Sequence, residues 1–551
     1  MPLAIYDNGT SWLNKQNCEH FENFANLCFE KFGDLVKMWI TYNEINMQAW
    51  SSVVKVHGEF WLCPDRPQIE NHEQAPYIFP RDFKLATATA AYQIEGAKHL
   101  DGRGISTWDA IRSESGRIRD NSDPDLSCES RLKYKEDVEL LARIGVTSYR
   151  FSISWSRILP DGTLSTINED AVQFYRDFCL LLRDNGIEPI VTLFHFDMPL
   201  AIYDNGTSWL NKQNCEHFEN FANLCFEKFG DLVKMWITYN EINMQAWSSV
   251  VKVHGELWLC PDRPQIENHE QAPYIAAANM LLTHAKIYRN YEKNYKETQN
   301  GLVGITNGGR FSFPASDSPD DVAAKNRALD WIFNFTIEPI LTDSGDFPAS
   351  MRERLPFLPK FSDAEKQIIK GSVDFLAINY YLSQLVRAPS EGEPPACQSE
   401  RDASYSPVDG KWEKICGETW LRYAPDGLLA LLKYVKQKYN NIPVFISENG
   451  CADVVNEDGT ESDDVLEDNH RIKYISGHLE AVAKALEEGC NVIGYTVWTL
   501  MDNFEWDDGF ALRFGICRVD FDSPEKTRTM KKSAKYYQTF IREFKKHHHL
   551  L

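Results

Sequence analysis

The chain has 551 residues, 43% of them hydrophobic and 13% aromatic, with a formal net charge of −22 at pH 7. A chain this acidic repels a phosphate backbone, which excludes nucleic acid as the expected partner, and no apolar run reaches the roughly 18 residues of a membrane span. Thirteen cysteines lie scattered without CxxC pairs, which predicts reduced core residues rather than a disulfide framework.

Residues 1–78 repeat residues 198–275 at an offset of 197, with Phe60 facing Leu257 as the one difference. A solenoid repeat recurs and diverges; this copy occurs once and starts and stops inside elements. It reads as an in-frame duplication and not as an independent domain, because one helix and one strand bury too little to stand alone. Glu44 in the copy is expected to be catalytically inert. Met1 is followed by Pro-Leu-Ala-Ile-Tyr-Asp-Asn and not by the basic and apolar regions of a secretory leader. Cytoplasmic location is expected by default, with export open if the true N-terminus is missing. Sequons stand at Asn205 and Asn334.

From Phe79 onward strand and helix alternate. Small and β-branched residues over 83–92 predict a first strand. Helical periodicity over 132–144 stops at Gly145 and yields to a strand over 147–155. The helix over 169–185 stops at Gly186 and yields to a strand over 189–195. The helix over 215–229 stops at Gly230 and yields to a strand over 234–241. A helix over 277–295 precedes a strand over 302–306, after which Asn307-Gly-Gly309 reads as a turn. Helices near 323–333 and 363–369 precede a strand over 373–379. A helix over 427–439 leads to a strand over 442–450, one over 470–488 leads to a strand over 492–498, and a last helix runs over 531–544. Eight strands each followed by helix predict an α/β fold, a (β/α)8 TIM barrel over 79–546 forming a single catalytic domain, with the partial repeat as an extra segment and 547–551 as a solvated, His-rich tail. The surplus length lies in loops after strands, at 96–130, 242–275, 382–420 and 451–468, which a barrel places at its catalytic face. The stretch 387–410, rich in Pro, Ser, Glu and Asp, reads as a mobile surface loop.

Glu448 closes the seventh strand and Glu241 the fourth. A Glu at the carboxyl end of a buried strand is poorly placed for stability and well placed for chemistry, and two on one face suit glycoside hydrolysis: one gives a proton to the leaving oxygen while the other attacks the anomeric carbon or activates water. Arg150, ending strand two, is placed to pair with a carboxylate, and Tyr381, after strand six, to donate to the same one. Asn240 offers an amide to a sugar hydroxyl. Taken singly, these residues read first as a structural ion pair, a core ring and a turn former; together, at strand ends, they point to a site.

Phe83-Lys-Leu-Ala-Thr-Ala-Thr-Ala-Ala-Tyr-Gln-Ile-Glu95-Gly, Tyr149-Arg-Phe-Ser-Ile-Ser-Trp-Ser-Arg157, Thr192-Leu-Phe-His-Phe-Asp197, Thr238-Tyr-Asn-Glu-Ile-Asn243, Ile446-Ser-Glu-Asn-Gly450 and Trp498-Thr-Leu-Met-Asp-Asn-Phe-Glu-Trp506 together resemble a glycoside hydrolase family 1 enzyme, a β-glucosidase of the animal cytosolic and lactase-phlorizin kind. The resemblance implies a retaining exo-β-glycosidase acting on terminal β-D-glucosyl O-glycosides, with galactosyl and fucosyl groups also admitted, through a glycosyl-enzyme intermediate. It implies Glu241 as acid/base and Glu448 as nucleophile. It places Gln93, His195, Asn240, Glu505 and Trp506 on the sugar, Trp498 as the floor of the site, and a cis peptide bond at Trp498–Thr499. Glu505 would bridge the 4- and 6-hydroxyls. Myrosinases that replace the acid with Gln are set aside by Glu241, and phosphoglycosidases, which lack the Glu-Trp pair, by Glu505-Trp506. The chain departs from the family pattern at Phe196, where Trp is usual, at Leu85 and at Thr499. No cofactor and no metal are expected: His195 is the one strand-end His and has no ligand partners at metal spacing. The expected partner is a small-molecule β-glycoside; oligomeric state has no signal. The alternative is a catalytically compromised barrel acting as a binding or interaction protein, against which both glutamates stand.

Overall fold

The computed structural model describes residues 79–114, 116–203, 208–250, 270–393, 403–406, 410–415, 419–454 and 465–550. The repeat at 1–78, with Glu44, and the sequon at Asn205 lie outside the described residues.

Eight parallel strands close into a barrel: β1 (Lys84–Ala88), β2 (Ser148–Ser152), β3 (Glu188–Phe194), β4 (Met235–Tyr239), β5 (Leu302–Gly308), β6 (Phe375–Asn379), β7 (Val444–Asn449) and β8 (Val492–Trp498). Each pairs with its neighbours in chain order, and β8 returns to β1 with Gly494 opposite Lys84 and Trp498 opposite Ala88. The principal helices are α1 (Ser130–Ile144), α2 (Glu169–Asp184), α3 (Lys212–Phe229), α4 (Ala272–Asn294), α5 (Pro319–Leu329), α6 (Pro425–Lys438), α7 (Asn469–Glu487) and α8 (Lys532–His547). Their ends follow local chemistry. The Asn168 side chain caps α2 by accepting from the Ala171 amide, with Glu169 and Asp170 in the positive first turn. α1 ends at Gly145, whose φ of +85° favours a residue without a Cβ.

Both faces of the sheet are buried, so the strands read as apolar runs and not as alternations. The barrel interior holds Ile190, Met235, Ile237, Phe375, Ala377 and Phe445. Room for the two Phe rings comes from glycine: a Cβ on Gly304 would lie 2.5 Å from the Phe375 ring, and one on Gly494 would lie 2.8 Å from Phe445.

Several expected bounds shift. The first strand ends at Ala88, and Ala91–Ile94 turns into a short helix that carries Gln93. The second ends at Ser152, followed by a helical turn at Trp155–Ile158. Fully buried runs do not distinguish a strand from a helical turn by periodicity. Asn307 and Gly308 are the end of β5, not a turn. The region expected to be loop over 382–420 contains Ser383–Arg387 and Ser404–Ser406, which pair with each other, and the first of them also with Phe311–Pro314, as a three-stranded side sheet. The last helix reaches His547, and the His548 ring lies 2.8 Å from the Phe79 carbonyl oxygen, so the start of the tail is docked. Asn334 is buried and its amide donates to Asp330 and Tyr434, which leaves this sequon no access to a glycan. The described cysteines are buried. No described helix is long and apolar enough to cross a membrane.

Candidate active site

The carboxyl ends of the strands deliver the chemistry. β2 presents Arg150, β4 runs into Asn240 and Glu241, β6 ends in Asn379 with Tyr381 two residues on, β7 presents Glu448, and β8 ends in Trp498. Registers shift on both sides of Ser447–Glu448, a bulge that re-aims the strand's last side chains. Glu241 caps the short helix Ile242–Ser248 with a φ of +46°; Phe196 (φ +77°) and Trp506 (φ +50°) share that left-handed region. Side chains with a Cβ are rare there, and such residues cluster at functional sites. The Trp498–Thr499 peptide bond is cis, as expected.

Arg150 is buried at the centre. Its Nη1 donates to Glu448 Oε1 at 2.5 Å, its Nη2 to Asn240 Oδ1 at 2.7 Å and its Nε to Thr192 Oγ1 at 3.0 Å. Tyr381 Oη donates to Glu448 Oε2 at 2.7 Å. Both Glu448 oxygens therefore accept from named donors. Asn379 Nδ2 lies 3.0 Å from Glu241 Oε1 and 3.0 Å from Asn240 Oδ1, joining Glu241 to the same network. Asn240 Nδ2 is 3.2 Å from His195 Nε2. The His195 ring stacks between Trp498 (5.8 Å between centroids) and Trp506 (6.0 Å), and Phe196 packs on Trp506 at 5.3 Å. Gln93 Nε2 has three acceptors within hydrogen-bond reach of its two hydrogens, Asn503 Oδ1, the Phe504 carbonyl and Glu505 Oε2, while its Oε1 is buried without a partner. His195 Nδ1 is likewise buried and unpartnered. Unfilled polar atoms of this kind suit a ligand rich in hydroxyls.

Electrostatics separate the two carboxyls. Burial, then the charge of Glu448, pushes Glu241 up to about 7. Burial also raises Glu448, but Arg150 and the Tyr381 hydroxyl pull it back, so charge pairing offsets desolvation rather than overcoming it. Burial and the charge of Arg150 hold His195 well below the ordinary imidazole range, as a neutral ring. Glu505 is raised well above the carboxylate range by burial, then by Asp508 and Glu448.

All ten predicted site residues thus fall at one end of the barrel. Sequence reasoning missed Asn379, Ser447 and Asn503. Asn379 carries the same signal as the glutamates, a polar residue ending an apolar strand. Trp420, half exposed at the rim and edge-on to Tyr381 at 5.8 Å, carried no signal beyond its exposure in a loop.

The model of the family described as Glycosyl hydrolase family 1 matches residues 75–546, and matches residues 1–78 a second time. The chain belongs to this family. Its members similar to it include furostanol glycoside 26-O-beta-glucosidase of Hellenia speciosa, 40% identical over 481 residues, covering 84% of this chain and 83% of that protein. Myrosinase 1 of the aphid Brevicoryne brassicae is 36% identical over 480 residues, covering 84% of this chain and 98% of that protein. Among solved structures, the rice Os3BGlu6 β-glucosidase superposes with a TM-score of 0.78 at 34% identity, over 84% of this chain and 98% of the rice chain. A variant of that rice enzyme has been solved in a covalent complex with glucose. This family 1 hydrolase is accordingly a TIM-barrel glycosidase of the β-glucosidase type.

Proposed function

We propose that the protein is a retaining exo-β-glucosidase that releases terminal β-D-glucosyl groups from O-glycosides by double displacement. The observation that carries this reading is the unequal setting of its two strand-end glutamates: Glu448 clamped by Arg150 and Tyr381, and Glu241 pushed up to about 7 beside it. In the first step the Glu448 carboxylate attacks the anomeric carbon. Glu241 gives its proton to the glycosidic oxygen, which leaves as the alcohol. In the second step Glu241, now a carboxylate, takes a proton from water as that water attacks the anomeric carbon and frees Glu448. Two inversions give net retention.

Gln93, His195, Asn240, Glu505 and Trp506 hold the sugar over Trp498. Gln93 Oε1 and His195 Nδ1, both buried and unpartnered, are the atoms with free capacity for hydroxyls. Glu505 reaching the 4- and 6-hydroxyls admits galactosyl and fucosyl groups beside glucosyl. The covalent glucose complex of the similar rice enzyme supports the two-step route, and the names of the relatives support glucose as the sugar. The likeness to an aphid myrosinase adds S-linked glucosides to the substrates worth testing.

The test is hydrolysis of para-nitrophenyl β-D-glucoside, with the first-formed anomer read by proton NMR. Release of the β-anomer is expected. Release of the α-anomer, or no turnover by folded protein that still binds glucose, overturns the reading; the second result is the binding-protein alternative.

A further inference from the structure

Asn379 belongs to neither strand-end glutamate's motif, yet it touches the residues around both. Its Nδ2 faces Glu241 Oε1 and Asn240 Oδ1, each at 3.0 Å, and its Oδ1 lies 2.7 Å from the hydroxyl of Ser447, the residue before Glu448. Asn379 and Ser447 are buried. Which end of the Asn379 amide is nitrogen follows from chemistry. Arg150 has only donors, and its Nη2 lies 2.7 Å from Asn240 Oδ1, so that atom is an acceptor. The Asn379 atom facing the same oxygen must be a donor, hence Nδ2. Nδ2 then donates to Asn240 Oδ1 and Glu241 Oε1, and Asn379 also lowers the Glu448 carboxyl by hydrogen bonding. Ser447 in turn must donate to Asn379 Oδ1.

We propose that Asn379 is a positioning residue for the acid step: held by Ser447 and Asn240, it makes Glu241 Oε1 an acceptor and confines the transferable proton to Oε2. A proton on Oε1 would point at an N–H. This rests on the reading of Glu241 as acid/base. The arrangement links the nucleophile's strand to the acid's carboxyl through one amide, so a general acid with two equivalent oxygens acquires one that delivers. Gly308 backs the carboxyl: a Cβ there would stand 3.5 Å from Glu241 Cδ and 3.3 Å from Asn243 Oδ1.

The charged and titratable groups facing Glu241 are Glu448 on β7, Arg150 on β2, Arg310 after β5, Tyr381 after β6 and Glu505 after β8. The Asn379 hydrogen bond favours the Glu241 carboxylate, so its loss raises the pH at which the acid deprotonates.

The experiment compares Asn379→Ala, Ser447→Ala and Glu241→Gln on phenyl and 2,4-dinitrophenyl β-D-glucosides across pH, with thermal melts to confirm folding. General acid assistance contributes about 10²–10⁴ in rate. Asn379→Ala is expected to lose about tenfold of kcat/KM on the phenyl glucoside, a fraction of that assistance because Glu241 itself remains, to lose far less on the dinitrophenyl glucoside, and to move the alkaline limb to higher pH. Ser447→Ala is expected to show the same selectivity, more weakly. An equal loss on both substrates, or an alkaline limb that stays put, overturns the positioning role. Glu241→Gln separates the two failures. If it too costs both substrates equally, the acid assignment itself falls; if it is selective for the phenyl glucoside while Asn379→Ala is not, only the Asn379 proposal falls.

Discussion

At the scale of single residues the site is a set of groups held away from their ordinary titration. Activity under the proposed mechanism needs Glu448 ionised and Glu241 protonated. Burial and the Glu448 charge raise Glu241 to about 7, so kcat/KM falls as pH rises through that value. Glu448 is itself raised by burial, so the acid limb lies above the ordinary carboxylate range. A pH profile of kcat/KM checks both limbs; a rate flat from neutrality to pH 9 contradicts the assignment. Asp197, two residues after His195, is a different case. It is 1% exposed, and burial pushes it up to about 8, against the smaller opposing pull of hydrogen bonds from its own amide and the Ser154 hydroxyl. The folded chain then keeps a proton that the unfolded chain gives up near pH 4. Between those values unfolding releases a proton, so stability is greatest at the acid end and falls as pH rises, by up to about 1.4 kcal/mol per pH unit. Asp197→Asn removes that slope. Urea unfolding of both proteins at pH 5 and pH 8 measures it, and an unchanged slope means that Asp197 stays ionised.

At the scale of elements, the strands were legible as apolar runs and the helix ends as glycines, because local sterics impose both. The long helices α1, α2 and α7 match their expected spans within two residues at either end. The places that misled are the helical turn at Ala91–Ile94, in a largely buried run, and the side sheet from Phe311–Pro314, Ser383–Arg387 and Ser404–Ser406, whose partners are distant in sequence. The barrel interior gives a prediction of its own. Gly304 lies against Phe375 so closely that an added Cβ meets the ring at 2.5 Å and the Phe375 carbonyl oxygen at 2.7 Å. A backbone atom of a paired strand has little room to move, so Gly304→Ala overpacks the interior and costs about 1–3 kcal/mol. Pairing it with Phe375→Leu should recover part of the loss. Denaturant midpoints test this, and a neutral single substitution would show that the strand shifts freely.

At the scale of the whole molecule, β4 of the barrel is Met235–Tyr239, from the in-line copy of the repeated sequence, hydrogen-bonded to β3 on one side and β5 on the other. The closed ring leaves no vacant edge for a ninth strand. Deleting residues 1–78 is therefore expected to leave kcat/KM on an aryl glucoside unchanged, and Glu44→Gln to do the same while Glu241→Gln does not. Loss of activity on deletion would mean that the first copy contributes to the site. The sequence by itself determined the alternation of strand and helix, the count of eight, and which strand ends carry carboxylates, since these follow from periodicity, glycine stops and residue type over short stretches. Only the tertiary structure decided which groups meet. Arg150 reaching Glu448 across the barrel, Asn379 dividing its amide between Asn240 and Glu241, and Gln93 turning onto Glu505 depend on ring closure, on the bulge at Ser447–Glu448 and on contacts between residues up to 412 positions apart. Burial, which sets Glu241 apart from a surface glutamate, is a property of the closed barrel and not of any segment within it.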